Sequence, residues 1–147
     1  MQISSRFTVA LHVLACIAFF EKKLRVTSPF LADSVNVNPV IIRNILLQLK
    51  AAGLVRVERG TGGAFLAKPV ERISFLAVYK AIEPLEKGKL FRFHENPDKR
   101  CPVGRNICEI LDGRLSAVQE VMELKLRSMS LSDIMADLNE LFGQQKG

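Results

Sequence analysis

Residues 55 to 69 read Val-Arg-Val-Glu-Arg-Gly-Thr-Gly-Gly-Ala-Phe-Leu-Ala-Lys-Pro. Two short β-branched or aromatic runs flank three glycines held within four positions. Leu54 to Glu58 and Ala64 to Ala67 are expected as strands. Arg59-Gly60-Thr61-Gly62-Gly63 is then the turn, since glycine takes positive φ angles at low steric cost. Pro69 has no amide to donate and blocks further pairing.

The rest of the chain reads as helix. Ser4 or Ser5 caps a first helix whose apolar positions run nearly all round, which predicts burial on most sides. His12 is expected there in a satisfied core role, and Cys16 as a small buried hydrophobe. The apolar run from Phe7 to Phe20 falls short of the roughly 20 residues that span a bilayer. Glu21-Lys22-Lys23 follows it in place of a small-residue cleavage site, so no signal peptide is expected.

Ser28-Pro29 and Asn38-Pro39 are two helix starts, in which a polar side chain accepts an orphan amide and proline lacks one. The first of these helices stops near Asn36. The second runs from Pro39 to Ala52 with Ile42, Ile45, Leu46 and Leu49 on one stripe, and Gly53 ends it. Two capped helices joined by a short turn outline a helix-turn-helix. Ile73 to Ile82 forms another helix with Ser74 as its cap. Residues 85–100 form a connecting loop. A long helix from Cys101-Pro102 to about Ser128 carries Ile107, Leu111, Leu115, Val118, Met122 and Leu126 on one stripe. A final short helix begins at Ser130 or Ser132.

Helix, helix-turn-helix and then hairpin is the order of a winged helix. In that fold a recognition helix reads major-groove base edges and a hairpin tip offers an arginine to the minor groove. The glycines do not fit a nucleotide cradle. They lack the third glycine of G-x-G-x-x-G and the Gly-Lys-Ser/Thr ending of a P-loop, and no helix opens directly after them. Charge agrees with a polyanion partner: residues 1–82 hold 11 Lys/Arg against 4 Asp/Glu, while residues 83–147 hold 10 against 11. Three cysteines, an odd number, argue against a disulfide framework and for a reducing, cytoplasmic setting.

The run Ala51-Ala52-Gly53-Leu54-Val55, then Arg59-Gly60, then Gly62-Gly63-Ala64-Phe65-Leu66-Ala67-Lys68-Pro69, resembles the wing of the Rrf-two family of bacterial transcription regulators. His94-Glu95-Asn96-Pro97 with Cys101-Pro102-Val103-Gly104 resembles its YwnA-type branch. The resemblance implies a mainly α fold with a small β-hairpin wing. It comprises a winged helix-turn-helix over residues 1–84, the loop at 85–100, and a long C-terminal dimerisation helix with a last helix over 101–147, in one compact domain. It also implies a homodimer, which the Ile107-to-Leu126 stripe suits because it repeats near the coiled-coil period.

The expected function is that of a homodimeric repressor of transcription on double-stranded DNA, reading a palindromic operator, with no membrane role. Asn38, Pro39, Val40, Arg43 and Asn44 are the expected recognition-helix contacts. Thr27 and Ser28 are expected at phosphate, Arg59 and Thr61 at the wing tip, and Lys68 near its base. Many relatives hold an iron–sulfur cluster through three closely spaced cysteines. This loop region has only Cys101 and Cys108, so His94 would have to complete the ligands, and no cofactor is expected. Cys101 at a helix N-terminus, near Lys99, Arg100 and Arg105, suits a reactive thiolate and a redox response. The competing class is a redox, iron–sulfur or metal-binding protein whose basic half contacts a protein or RNA. An enzyme is not expected, because no paired carboxylates, Ser/His/Asp set or metal motif stand in a recognisable context.

Overall fold

The computed structural model describes residues 3–60, 62–83 and 85–145. Among these the chain forms six α-helices and one two-stranded antiparallel sheet. α1 (Ser5–Phe20) starts where Ser4 accepts the Arg6 amide at 3.1 Å. It is not buried all round. Ala10, Val13, Leu14 and Ile17 enter the core, but Leu11, Ala15 and Phe19 are half-buried. His12 is exposed, which corrects its expected core role, and its Nε2 shares a hydrogen bond with Ser34 Oγ at 3.1 Å. The cause is that one side of α1 faces α6, which leaves a cleft there instead of a packed seam.

α2 (Ser28–Val35) is capped by Thr27, whose Oγ1 accepts the Phe30 amide at 3.3 Å. Ser28 was the expected cap. It is already helical, and two adjacent hydroxyl residues leave the choice to the backbone. The helix closes on Asn36 in the left-handed region, at φ 62°. α3 (Pro39–Ala51) opens on Asn38, whose Oδ1 accepts the Val40 amide at 2.8 Å, and buries Ile42, Ile45, Leu46 and Leu49. Burying each Leu or Ile contributes roughly 1.5–3 kcal/mol, enough for this stripe to fix the face α3 turns outward.

The hairpin lies close to expectation: β1 is Val55–Glu58 and β2 is Gly63–Leu66, paired Val55 with Leu66 and Glu58 with Gly63. Leu54 falls outside β1 because its amide closes α3 on Leu49 O at 3.0 Å. The outer edge of β2 is also occupied. Ala64 donates to Val26 O at 2.8 Å and Leu66 to Glu21 Oε2 at 2.9 Å.

α4 (Phe75–Ile82) is capped by Ser74, as expected, after a short 3-10 turn at Val70–Arg72. Tyr79 on α4 is 1% exposed and meets Phe7 of α1 edge-on. Its hydroxyl is pushed above the ordinary phenol range, first by burial and then by the nearby charges of Glu83 and Glu123. α5 (Pro102–Arg127) leaves this core and α6 (Leu131–Gln145) returns to it, stitched to the start of α4 by Phe75 N to Met129 O and Leu131 N to Ile73 O, both 2.9 Å. With 15 residues α6 is not the short helix expected, because its first turns pack Leu131, Ile134 and Met135 on the core.

Candidate nucleic-acid interface

Because α3 spends one stripe on the core, its remaining face is open. Pro39, Val40, Ile41, Arg43, Asn44 and Leu47 are all exposed, and so is the cap Asn38. Gln48, on the flank, is held differently: Arg6 of α1 donates to its Oε1, so the start of α1 and the recognition helix are tied. Sequence reading had treated both side chains as free for DNA.

The wing stands beside this face. Arg59 and Gly60 are exposed at its tip, and Thr61 lies outside the described residues. Gly63 takes φ +83°, and a Cβ there would come within 2.9 Å of Val26 O, so the strand approaches the loop too closely for any side chain. Arg56 lies over the Phe65 ring at 4.9 Å and pairs with Glu58 at 3.4 Å. Both partners of that pair are largely exposed, so it contributes little stability.

Thr27, Ser28 and Arg43 come together. With Val57, Glu58 and Gly60 they line a cleft of about 410 Å³ between the helix-turn-helix and the wing. Thr27 Oγ1 already serves its cap, while its hydroxyl proton stays available to a phosphate. Lys68 is exposed but elsewhere, on a second cleft with Glu21, Lys22 and Ala67 at the end of α1. Two residues escaped the sequence reading. Arg25 is exposed and passes against Gly63 at the wing's root, where the basic run Lys22-Lys23-Leu24-Arg25 was the available signal. Glu58 places a carboxylate on the Arg43 cleft, and strand alternation alone did not say which way it points.

The cysteines are scattered. Cys16 is buried, Cys101 exposed and Cys108 half-buried. Cys101 caps α5, and Cys108 follows seven residues later, about 10 Å along a helix at 1.5 Å per residue. That separation rules out a disulfide between them without unwinding. His94 is exposed in the loop, and no three His, Cys, Asp or Glu side chains among the described residues form a group able to hold a metal. The positive surroundings expected for Cys101 are reduced. Asp98 accepts from Arg100 Nε at 3.1 Å and from its amide at 2.9 Å, and these bonds hold the Asp98 carboxyl below its usual range. The same loop fixes the start of α5: Cys101 N donates to Asp98 O at 3.2 Å, and a Cβ on Gly104 would sit 2.5 Å from that oxygen.

No helix among the described residues is long and apolar enough to cross a membrane. The family model for Rrf2, described as an iron-dependent transcriptional regulator, matches residues 3–137. The HTH-type regulator YwnA of Bacillus subtilis (strain 168) is 44% identical over 140 residues, covering 95% of this chain and 99% of that one. A crystal structure described as a DNA-binding protein superposes with a TM-score of 0.72 at 40% identity, over 89% of this chain and 99% of the other. A transcriptional regulator from Lactobacillus plantarum gives a TM-score of 0.77 at 25% identity, over 98% and 99%. The iron in the family's description does not fit the residues here, since His94, Cys101 and Cys108 are not gathered into one donor set.

Proposed function

Because this chain belongs to the Rrf2 family of transcriptional regulators, we propose that it acts as a homodimeric repressor that reads a palindromic operator with α3 and the wing. The observation that carries this reading is the open face of α3 beside the Arg43 cleft. A helix N-terminus, a guanidinium and two hydroxyl residues converge there next to a glycine-tipped hairpin. Residues 1–84 serve as the DNA-binding unit, 85–100 as the connection and 101–147 as the dimer unit. Arg43 and Asn44 read base edges; Asn38, Pro39 and Val40 set the entry of α3 into the groove. Thr27 and Ser28 bond phosphate, Arg59 with Thr61 enters the minor groove, and Lys68 contacts the flanking backbone. The protein works in the cytoplasm and catalyses no reaction.

Support for the dimer comes from α5. None of its 26 residues is buried in the single chain, and Val103, Ile110, Val121 and Leu124 lie on the outside. Val103, Ile110, Ala117 and Leu124 repeat every seven residues, the register of a helix seam. The stripe expected from sequence is half-buried within the chain, except for exposed Val118. The loop covers part of it, where Leu90 N donates to Gln119 Oε1 at 3.0 Å and Lys89 pairs with Asp112 at 2.8 Å.

Selection of bound duplexes from a random pool at two salt concentrations tests the reading. Enriched sites with two half-sites about 34 Å apart, or a multiple of that, are expected. Steep salt dependence with no enriched sequence would reduce the protein to a general polyanion binder. A redox response at Cys101 is favoured by one observation, an exposed thiol at the first turn of the dimer helix. Peroxide would oxidise the thiolate to a sulfenate and release hydroxide. Cys101→Ser should then abolish any peroxide effect on operator affinity.

A further inference from the structure

α1 and α6 do not close on each other along their whole length. Leu11, Ala15 and Phe19 on one side and Ile134, Leu138 and Phe142 on the other enclose a cleft of about 370 Å³. That is within the range of pockets that take small molecules. One end is shut by Phe19 and Phe142, whose ring centroids are 5.4 Å apart. The polar groups at the wall belong to His12 and Cys16, and both reach the same atom of α2. Ser34 Oγ lies 3.1 Å from His12 Nε2 and 3.2 Å from Cys16 Sγ. The aromatic wall also leads to α2: Phe19 meets Phe20 at 4.7 Å, and Phe20 meets Phe30 at 5.1 Å. So the cleft touches the first helix of the helix-turn-helix through one hydrogen-bonded group and one chain of rings.

We propose that this cleft is an effector site for a small planar aromatic molecule of one or two rings bearing a single hydroxyl. The apolar walls and flanking phenyl rings select a flat apolar body. The His12–Ser34 pair supplies both a donor and an acceptor for the hydroxyl. A helix from a second copy is the competing occupant. A helix measures about 10 Å across with its side chains, and it does not enter a cleft whose walls already meet at Phe19 and Phe142. The bound hydroxyl competes for Ser34, loosens α2 from α1 and weakens the operator-bound state. This regulatory half rests on the operator-binding reading above; the binding half does not.

The test uses the full chain and 2-naphthol as probe. The chain has no tryptophan, so the probe's fluorescence is read without overlap from that residue. Without DNA, wild type should saturate at one probe per chain, and Ala15→Phe, which fills the cleft, should lose at least about ten-fold in affinity, or 1.4 kcal/mol. With the selected operator, saturating probe should weaken wild-type binding. Ser34→Ala should still take up the probe but no longer pass the effect to DNA. Circular dichroism melting of each variant confirms that it folds. No saturable uptake by wild type, as when a second copy seals the cleft, overturns the site, and so does uptake unchanged in Ala15→Phe. An effect on DNA retained in Ser34→Ala overturns the route through α2. Loss of operator binding by wild type without probe would instead overturn the DNA reading and leave the uptake result standing.

Discussion

α3 and α5 begin alike and end differently. Each opens on a proline after a non-helical cap residue, and each carries apolar residues at helical spacing. α3 buries four of its 13 residues, whereas α5 buries none of its 26. In α3 the core consumes the apolar stripe, so what remains outside is a working surface with Arg43 and Asn44 on it. In α5 the chain's own core reaches only part of the way, and valines and leucines stay in water. A helix of this length gains little stability alone and depends on packing. Exposure on α3 therefore marks a surface for nucleic acid, and exposure on α5 marks a surface for protein.

Substitutions on the two helices should separate these roles. The largest effect is expected at Leu49→Ala in α3, a loss of about 2–5 kcal/mol in denaturant unfolding. Leu124→Ala in α5 should instead change how stability depends on protein concentration. Next comes the pair Val121→Lys with Leu124→Lys. The chain should stay folded, sediment as a monomer, and lose operator affinity by about 100-fold as the two heads separate. Similar sedimentation to wild type would remove α5 from the interface. Arg43→Ala should cost about 1–3 kcal/mol on the preferred site and relax base preference, without changing the oligomer. Lys68→Ala should weaken all sequences alike and lower the salt slope by about one unit.

The smallest effect concerns Tyr79, which lies between Phe7 of α1 and the charge of Glu123 on α5. Its folded-state pKa is raised, so the folded chain holds the phenol proton more tightly than the unfolded one. Stability from this group is complete below the unfolded value of 10.0 and is lost as pH rises past it toward the folded value. Tyr79→Phe should flatten stability between pH 10 and 11, which pH-dependent urea melts would show.

Local chemistry made much of the fold readable. Asn38-Pro39 announced α3 to the residue, Gly53 ended it, and the glycine cluster gave the hairpin to within one residue at either strand. What escaped was long-range. His12 looked like core because its neighbours are apolar, yet the side of α1 it occupies faces an incomplete seam with α6. Arg6 and Gln48 are 42 residues apart, and nothing local says that they meet. Arg100 read as a free cation beside Cys101 until folding of the loop gave it Asp98. Of the proposed DNA residues, periodicity located the open face of α3. It did not place Lys68 on a separate cleft or Glu58 beside Arg43.

The way β2 is bordered bears on how this protein behaves when concentrated. Two-stranded ribbons normally leave amides that invite a strand from another molecule. Here Val26 O and the Glu21 carboxylate take the outward amides of Ala64 and Leu66, so the ribbon has no free template along that side. Shortening Glu21 to alanine would reopen one docking point, and the damage would show first as clumping in the test tube.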